Sequence, residues 1–392
     1  MKPALLDAEA ATERLGISRA TLYAYVSRGL VRAVQDPDNP RRSRYDRRDI
    51  DALLDRRRVG RARQSVAAST IDWGEPVLAS AITAIRDGRA WYRGHDAGAL
   101  AGHATLEQVA ALLCQAPVWP DAEPAAIAAG ADPMARAVQA VAGLALPALW
   151  SRALAALHRD GAMVLATVAA AVAGQAARLP AHALPAHALL ARAWGLDARG
   201  ADLVRRALVL VADHELNVSA FTVRVVASSG AALPACILAG LCAMQGPLHG
   251  GVTAQVRAML AEPGMATEPA AAIARRLTRG ERLPGFGHPL YPDGDPRAKS
   301  LLAALDPPAP WPALIAAAEA AIGHRANIDT ALAALEHTLA LPPGAAIGLF
   351  ATGRTAGWIA HALEQQATGA LIRPRASYTG PAPGDGPPLP DA

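Results

Sequence analysis

The sequence predicts an all-α protein, built as a small basic head followed by a long helical body. Three observations carry that expectation. Hydrophobic residues make up 52% of 392 positions and aromatic residues only 4%, so Ala, Leu and Val supply the apolar content. Ala and Leu favour helix, and residues with strong strand preference are few. Pro and Gly, 31 and 33 residues, punctuate apolar stretches of helical length. Charge is split: residues 1–63 carry a net +6 and the remainder a net −2, which points to two functions in one chain. This composition excludes a β-sandwich or β-barrel, and 18% charged residues argue against global disorder.

The head reads as helix, tight turn, helix, wing, helix. Asp7 caps a first helix, Ala8 to Leu15, and Gly16 stands where a sharp turn needs positive φ. Ser18 caps a second helix, Arg19 to Arg28, with Leu22 and Val26 spaced to face inward and Gly29 at its end. Pro37 to Pro40 breaks the chain before Arg41, Arg42, Arg44 and Tyr45. A third helix covers about Asp49 to Arg57, and Arg56 to Arg63 reads as a solvated linker. The stretch Leu15 to Tyr23 resembles the winged helix-turn-helix of MerR-type regulators and excisionases. That resemblance implies that Arg19, Thr21, Tyr23, Tyr25 and Arg28 face DNA while Arg41, Arg42 and Arg44 hold phosphates from the wing. The competing expectation is a docking module whose arginines form a solvated face.

In the body, helices are expected near Leu106–Leu113, Pro133–Leu144, Ser151–Ala177, Pro185–Ala193, Ala198–Val211 and Ala231–Met244. They continue near Val252–Leu260, Glu268–Arg276, Pro312–Ile322, Ile328–Ala340 and Ala345–Gln366. The longest uncharged apolar run, Gly161 to Gly174, is shorter than the roughly 18 residues that span a bilayer. The first residues lack a basic-then-apolar leader pattern. Cys114, Cys236 and Cys242 have no metal spacing, and no HExxH-like pattern joins the 11 histidines, so no metal site is expected. His158, His182, His187 and His337 read as surface or satisfied core residues. Gly348 to Thr355 nearly matches a phosphate loop, but its apolar interior reads as buried helix. A reduced, cytoplasmic protein without a membrane partner is the expectation.

Polar residues recur in short breaks between apolar helices: Asp213 to Asn217, Gly246 to Gly251, Gly285 to His288, Asp295 to Arg297, Asn327 to Asp329 and Gly353 to Thr355. Several breaks that each place a His, Asp or Arg at a helix end suggest one convergent site. Arginines and histidines in excess over carboxylates suit an anionic, multi-carboxylate substrate.

Asp213 to Ser219, Gly246 to Gly251, Gly285 to Lys299, and Gly353 to His361 with Arg373-Pro374-Arg375 resemble citrate synthase, in the same order along the chain. Trp91 to Asp96 and Ala104 to Ala110 resemble the N-terminal region of that family. The match runs from about residue 70 to 380. It implies a two-domain citrate synthase-like fold, with a large domain at 71–250 and 341–380 and a small domain at 251–340. The winged helix-turn-helix occupies 1–58, a basic linker 59–70 and a flexible tail 381–392.

The resemblance further implies condensation of acetyl-CoA with oxaloacetate, then hydrolysis of the citryl thioester. Asp329 matches the family's base. His249 matches the donor to the thioester oxygen, kept neutral by the positive end of a helix starting near Gly251. His288 matches the residue that polarises the oxaloacetate carbonyl. His214, Arg297 and Arg354 match the carboxylate clamp, and Arg373 matches an arginine supplied across a homodimer interface. CoA is a co-substrate, with no tightly bound cofactor, and its contacts fall to Arg279, Arg282, Pro284, Gly285 and Gly287. Two departures bear on substrate choice. Pro289 and Pro292 stand where the family has Arg or Ala and a basic residue, and Thr330-Ala331-Leu332 replaces an aromatic-rich stretch. The alternatives are 2-methylcitrate synthesis, citryl-CoA cleavage, or a transcription regulator whose body senses citrate or acyl-CoA.

Overall fold

The computed structural model describes residues 5–27, 30–36, 39–51, 53–54, 78–127, 130, 132–174, 184–376 and 378–381, with the side chains of 20, 27, 40 and 41 excepted. The expected linker, the tail beyond 381, Arg28 and the Arg41 side chain lie outside the described residues. The chain divides into two compact units, Met1–Ala79 and Ser80–Ala392.

The head is a winged helix-turn-helix. β1 (Leu5–Leu6), β2 (Ala33–Asp36) and β3 (Asn39–Asp46) form an antiparallel sheet in the order β1-β3-β2. α1 (Ala8–Leu15) begins at Asp7, whose carboxylate accepts the Ala10 N–H at 2.8 Å. It ends at Gly16 with φ +61°, the left-handed turn that the sequence called for. α2 (Arg19–Ser27) follows, and residues 47–51 and 53–54 are helical. Ala11, Leu15, Leu22, Val31, Tyr45 and Ile50 make a small core. Tyr25, expected to face DNA, packs against that core instead, because it shares the α2 face of Leu22 and Val26.

The body opens with a meander of β4 (Thr83–Arg86), β5 (Arg89–Tyr92) and β6 (His95–Asp96), then runs through helices: α3 (Ala97–Ala101), α4 (Leu106–Cys114), α5 (Pro133–Ala142), α6 (Leu154–Ala173), α7 (Ala186–Ala193), α8 (Ala198–Leu210), α9 (Val218–Ser228) and α10 (Leu233–Met244). α11 (Val252–Leu260), α12 (Pro269–Thr278), α13 (Pro296–Leu305), α14 (Trp311–Ile322), α15 (Ile328–Thr338) and α16 (Ala345–Thr368) complete it. Every expected body helix is present. The meander, α3, α9 and α13 were not expected.

α16 is the axis of the body, packed against α4, α5, α6, α8, α9, α10, α11 and α15. Glycine lets it approach α8 and the segment after it: a Cβ on Gly353 would lie 2.6 Å from the Leu208 carbonyl, and one on Gly357 2.5 Å from the Ala212 carbonyl. These close approaches explain the phosphate-loop look of Gly348 to Thr355, which is buried helix. α6 is long and apolar enough to cross a membrane, which the uncharged run alone is not. It is nonetheless core, with Leu157 through Ala173 mostly buried against α5, α7 and α16.

Candidate active site

Three loops, two helix starts and the middle of α16 bring the expected residues together. His214 follows α8 on a segment hung from Tyr92, whose hydroxyl lies 3.1 Å from the carbonyls of Val209 and Asp213. The His214 ring is buried, with Nε2 3.0 Å from the Tyr291 hydroxyl and its centre 5.0 Å from that of the His288 ring, edge to face. Burial, then the charges of Arg297 and Arg354, hold its pKa well below the ordinary value of 6.5.

The loop carrying His288 is strapped to the start of α15. Gly285, at φ +84°, accepts from Asn327 N–H at 2.9 Å and from the Thr330 hydroxyl at 2.7 Å. A Cβ there would lie 2.3 Å from Thr330 Oγ1, so glycine is required for this close approach. The Leu290 N–H donates to His288 Nδ1 at 3.1 Å. That nitrogen therefore carries no proton, and the neutral ring keeps its N–H at Nε2. Burial, reinforced by Arg297, lowers the His288 pKa to about 4.

Asp295 organises the next two elements. It caps α13 by accepting the Arg297 N–H at 3.0 Å, and it grips the Arg297 guanidinium with both oxygens at 2.9 and 2.8 Å. Its Oδ2 also accepts the Ile328 N–H at 3.0 Å, which ties α13 to the first turn of α15. Asp329 sits in that turn, half-buried, with Oδ1 out of solvent and without a hydrogen-bond partner. A helix N-terminus favours a carboxylate by about 0.3–1 kcal/mol. Burial outweighs it and pushes Asp329 from 3.8 up to about 7.

Arg354 is the counterpart of Arg297 without the carboxylate. Its Nε donates to the Val211 carbonyl at 2.8 Å, its guanidinium lies 5.0 Å from the Phe350 ring centre, and its Nη2 is buried with no hydrogen-bond partner. Burial lowers its pKa to about 10, although Asp213 works the other way. An unpaired, buried guanidinium is costly, and a carboxylate would satisfy it.

His249 lies just before α11, with Nε2 2.9 Å from Ser219 Oγ. Ser219 also accepts the Trp358 indole N–H at 3.1 Å and donates to Asn217 Oδ1 at 2.8 Å. The His249 pKa falls to about 4 through burial and then Arg354. The neutral state is the expected one, and buried surroundings and a neighbouring guanidinium favour it.

Five basic or imidazole side chains and one carboxylate thus share one site: His214, His249, His288, Arg297, Arg354 and Asp329. Arg373 is not among them within the chain, where it is exposed beyond α16. Among the residues expected to meet CoA, Arg279 is exposed and paired with Glu281 at 2.6 Å. Arg276 pairs with Glu262 and Glu281 close by. Arg282 is exposed, Pro284 half-buried, and Gly287 takes φ +79° in the strapped loop. Sequence reasoning passed over Tyr291, Ser219 and Phe350. Tyr291 could have been found, since it stands between two singled-out motifs; Ser219 and Phe350 carry no signal beyond their place beside one.

In the head, Arg19, Tyr23 and Arg42 are exposed. Thr21 is half-buried, with its hydroxyl 2.9 Å from Ser18 Oγ. Arg44 is held to Asp36 across the hairpin at 2.9 Å.

The citrate synthase C-terminal domain profile matches residues 71–375, and a helix-turn-helix domain profile matches residues 5–58. The chain is 38% identical over 199 residues to putative citrate synthase 2 of Mycobacterium tuberculosis (strain ATCC 25618 / H37Rv), covering 48% of this chain and 53% of that protein. It is 39% identical over 186 residues to citrate synthase 2 of Bacillus subtilis (strain 168), covering 45% and 50%. It is 33% identical over 199 residues to 2-methylcitrate synthase 1 of Corynebacterium glutamicum, covering 47% and 52%. The chain spans about half the length of these curated relatives. The fold resembles the crystal structure of citrate synthase from Thermotoga maritima with a TM-score of 0.67 at 24% identity, covering 81% of this chain and 96% of that one. It also resembles the citrate synthase of Thermoplasma acidophilum, solved as a ternary complex with carboxymethyl coenzyme A and oxaloacetate, with a TM-score of 0.64 at 22% identity, covering 80% and 96%.

Proposed function

The chain belongs to the citrate synthase family and carries an N-terminal helix-turn-helix domain, and from that premise we propose that it condenses acetyl-CoA with oxaloacetate to give citrate and CoA. The observation that supports this most is the meeting of a carboxylate poised near neutrality, Asp329, with two neutral imidazoles and an unsatisfied guanidinium. Asp329 takes a proton from the acetyl methyl group. Its raised pKa makes it a stronger base than an ordinary carboxylate while leaving it ionised in part at neutral pH. Turning the Ser219 hydroxyl proton from Asn217 Oδ1 to His249 Nε2 leaves the Nδ1–H of His249 for the thioester oxygen as the enolate forms. His288 donates its Nε2–H to the ketone oxygen of oxaloacetate, which raises the electrophilicity of the carbon under attack. Arg297, Arg354 and His214 hold the carboxylates. The new carbon–carbon bond gives citryl-CoA, and water then splits the thioester, releasing citrate and the CoA thiol.

In this reading α11 to α15 form a smaller domain that closes over CoA, and the CoA contacts run through Arg279, Arg282 and the loop from Pro284 to Gly287. Arg373 enters the site of a second copy of the chain in a homodimer. A 2-methylcitrate synthase among the relatives makes propionyl-CoA the alternative donor. Thiol release with oxaloacetate and a panel of acyl-CoAs tests the assignment. Fastest turnover with acetyl-CoA supports it, fastest turnover with propionyl-CoA selects 2-methylcitrate synthesis, and no thiol release with any donor rejects condensation. For the head, the helix-turn-helix and the exposed Arg19, Tyr23 and Arg42 support duplex DNA as a partner. Binding that weakens steeply with salt is the expected signature.

A further inference from the structure

Behind the substrate clamp lies a buried polar chain that the proposed chemistry does not use. His361, on α16, is wholly buried, and its Nε2 lies 3.2 Å from Oδ1 of the equally buried Asp213. Its other nitrogen, Nδ1, lies 3.3 Å from Nη1 of Arg224 on α9. A guanidinium only donates, so Nδ1 must accept. The imidazole proton is thereby fixed at Nε2 and given to Asp213. Arg224 itself is 1% exposed, and it is anchored by Glu364 Oε2 at 2.6 Å and Gln365 Oε1 at 3.0 Å. Glu364 Oε1 in turn accepts the Ala81 N–H at 2.9 Å, so the outer end of the chain is tied to the backbone.

The inner end reaches the clamp by two routes. Asp213 directly precedes His214. Arg354, Gly357 and His361 fall at helical spacing on the α16 face that meets residues 211–213. Arg354 binds the Val211 carbonyl, and the Gly357 N–H donates to the Ala212 carbonyl at 3.0 Å. A Cβ on Gly357 would lie 2.4 Å from Asp213 Oδ1, so glycine admits the carboxylate to this place. Asp213 makes no ion pair with Arg354 within 4.0 Å, yet its charge acts on that otherwise unmatched guanidinium.

We propose that His361 is a positioning residue: held by Arg224, it donates to Asp213 and so fixes the carboxylate that balances Arg354 and sets the place of His214. This rests on the reading of Arg354 and His214 as the oxaloacetate clamp. The groups that face Asp213 are His361 and Arg354 from α16, Tyr92 from β5, Thr83 from β4 and Glu215 on its own loop. Burial works against the Asp213 charge, and His361 followed by Arg354 holds its carboxyl below the usual range. A folded-state pKa that is lowered keeps the charge until pH falls through it. Removing the His361 N–H raises that point, so the clamp should fail at a higher pH.

The test compares the full-length protein with His361→Leu and His361→Gln, by thiol-release kinetics and by calorimetric titration with oxaloacetate from pH 5 to 9. Leucine removes both hydrogen bonds, whereas glutamine can still donate to Asp213. The expected result for His361→Leu is a rise of about tenfold in the oxaloacetate KM and Kd, as for loss of a hydrogen bond to a charged group, with the acyl-CoA KM changed less than twofold. The acid limb of oxaloacetate binding should move toward neutrality, and His361→Gln should recover most of both effects. A folded His361→Leu with an oxaloacetate KM within twofold of wild type overturns the proposal. So does an equal rise in both KM values, or glutamine performing no better than leucine. If His361→Leu does not fold, Asp213→Asn must show the same selective loss for the proposal to stand. Wild-type protein that binds no oxaloacetate at all removes the substrate reading and this proposal with it, and needs no variant to be recognised.

Discussion

The head and the site in the body hold their charges in opposite ways. In the head, Arg14 pairs with Asp51 at 2.8 Å, Arg32 with Asp49 at 2.9 Å and Arg44 with Asp36 at 2.9 Å, with the arginine exposed to water in each case. Such pairs form easily, are screened by salt and add little stability. In the body, Arg354 and Asp329 present buried atoms with no partner, among residues that otherwise pack tightly. Nothing about folding rewards that arrangement, because an unpartnered buried charge destabilises the native state. The contrast teaches where chemistry resides: in the body a single atom's surroundings matter, while in the head the summed field does. The same contrast appears inside the site, where Arg297 is gripped by Asp295 and Arg354 is not.

Removing the proposed base should produce the largest effect. Asp329→Ala is expected to lower thiol-release turnover by about 10²–10⁴-fold while oxaloacetate binding survives, in line with loss of a general base. Near-wild-type turnover in this variant would show that the unpartnered carboxylate is not the base. The two arginines offer the next break. Arg354→Gln should weaken oxaloacetate binding by about 1.5–3 kcal/mol, as for a lost charged hydrogen bond, and leave thermal stability intact. Arg297→Gln should instead cost stability, up to about 3–5 kcal/mol, because it strands the buried Asp295. Calorimetry and ligand titration on both variants read the difference. Equal stability losses would erase the distinction between a paired and a waiting guanidinium.

Much of this was legible in the sequence, for reasons that differ by element. Helices such as Ala198–Leu210 and Val252–Leu260 show a clear apolar face and a break at each end. Most residues of the site stood out because they lie in short polar breaks; Arg354, read with Gly353 and Thr355 as another such break, lies inside α16. α9 was missed because Val218–Ser228 is rich in β-branched residues with weak helix preference. It forms because it packs between α10 and α16, a contact that no local pattern reveals. α13 was hidden by its Pro296 start, which reads as a break until Asp295 is seen as its cap. The Arg224–His361–Asp213 chain was invisible for a related reason: its members come from three separate segments, and only the fold joins them.

The raised pKa of Asp329 gives a subtler test, on both activity and stability. With the carboxyl at about 7, kcat/KM should rise with pH and level off above neutrality. His249 and His288, at about 4, stay neutral through this range and do not set the limb. Stability follows the opposite sign. A folded-state pKa raised above 3.8 gives stability that is full below that value and lost as pH rises through about 7. Asp329→Asn should therefore raise Tm by roughly 2–4 °C at pH 8, and by less at pH 5. A gain that is the same at both pH values would mean that the burial of charge is not its source.

The smallest effect is expected in the head, where the comparison is sharpened rather than broken. Arg42 is exposed on the wing, and Arg44 two residues on is held by Asp36. A phosphate contact from Arg42 would act as one term in a summed field. Arg42→Ala should then weaken duplex binding a few-fold on every sequence tested and reduce the slope of log affinity against log salt by about 1. Thiol release should be unchanged, since the substitution lies in the unit Met1–Ala79 and the proposed site in Ser80–Ala392. Arg44→Ala should do less to binding, because its guanidinium is already committed to Asp36. Fluorescence anisotropy with a labelled duplex across a salt series measures both. Should duplex binding by the wild-type chain prove insensitive to salt, the basic charge of the head serves some purpose other than holding phosphates.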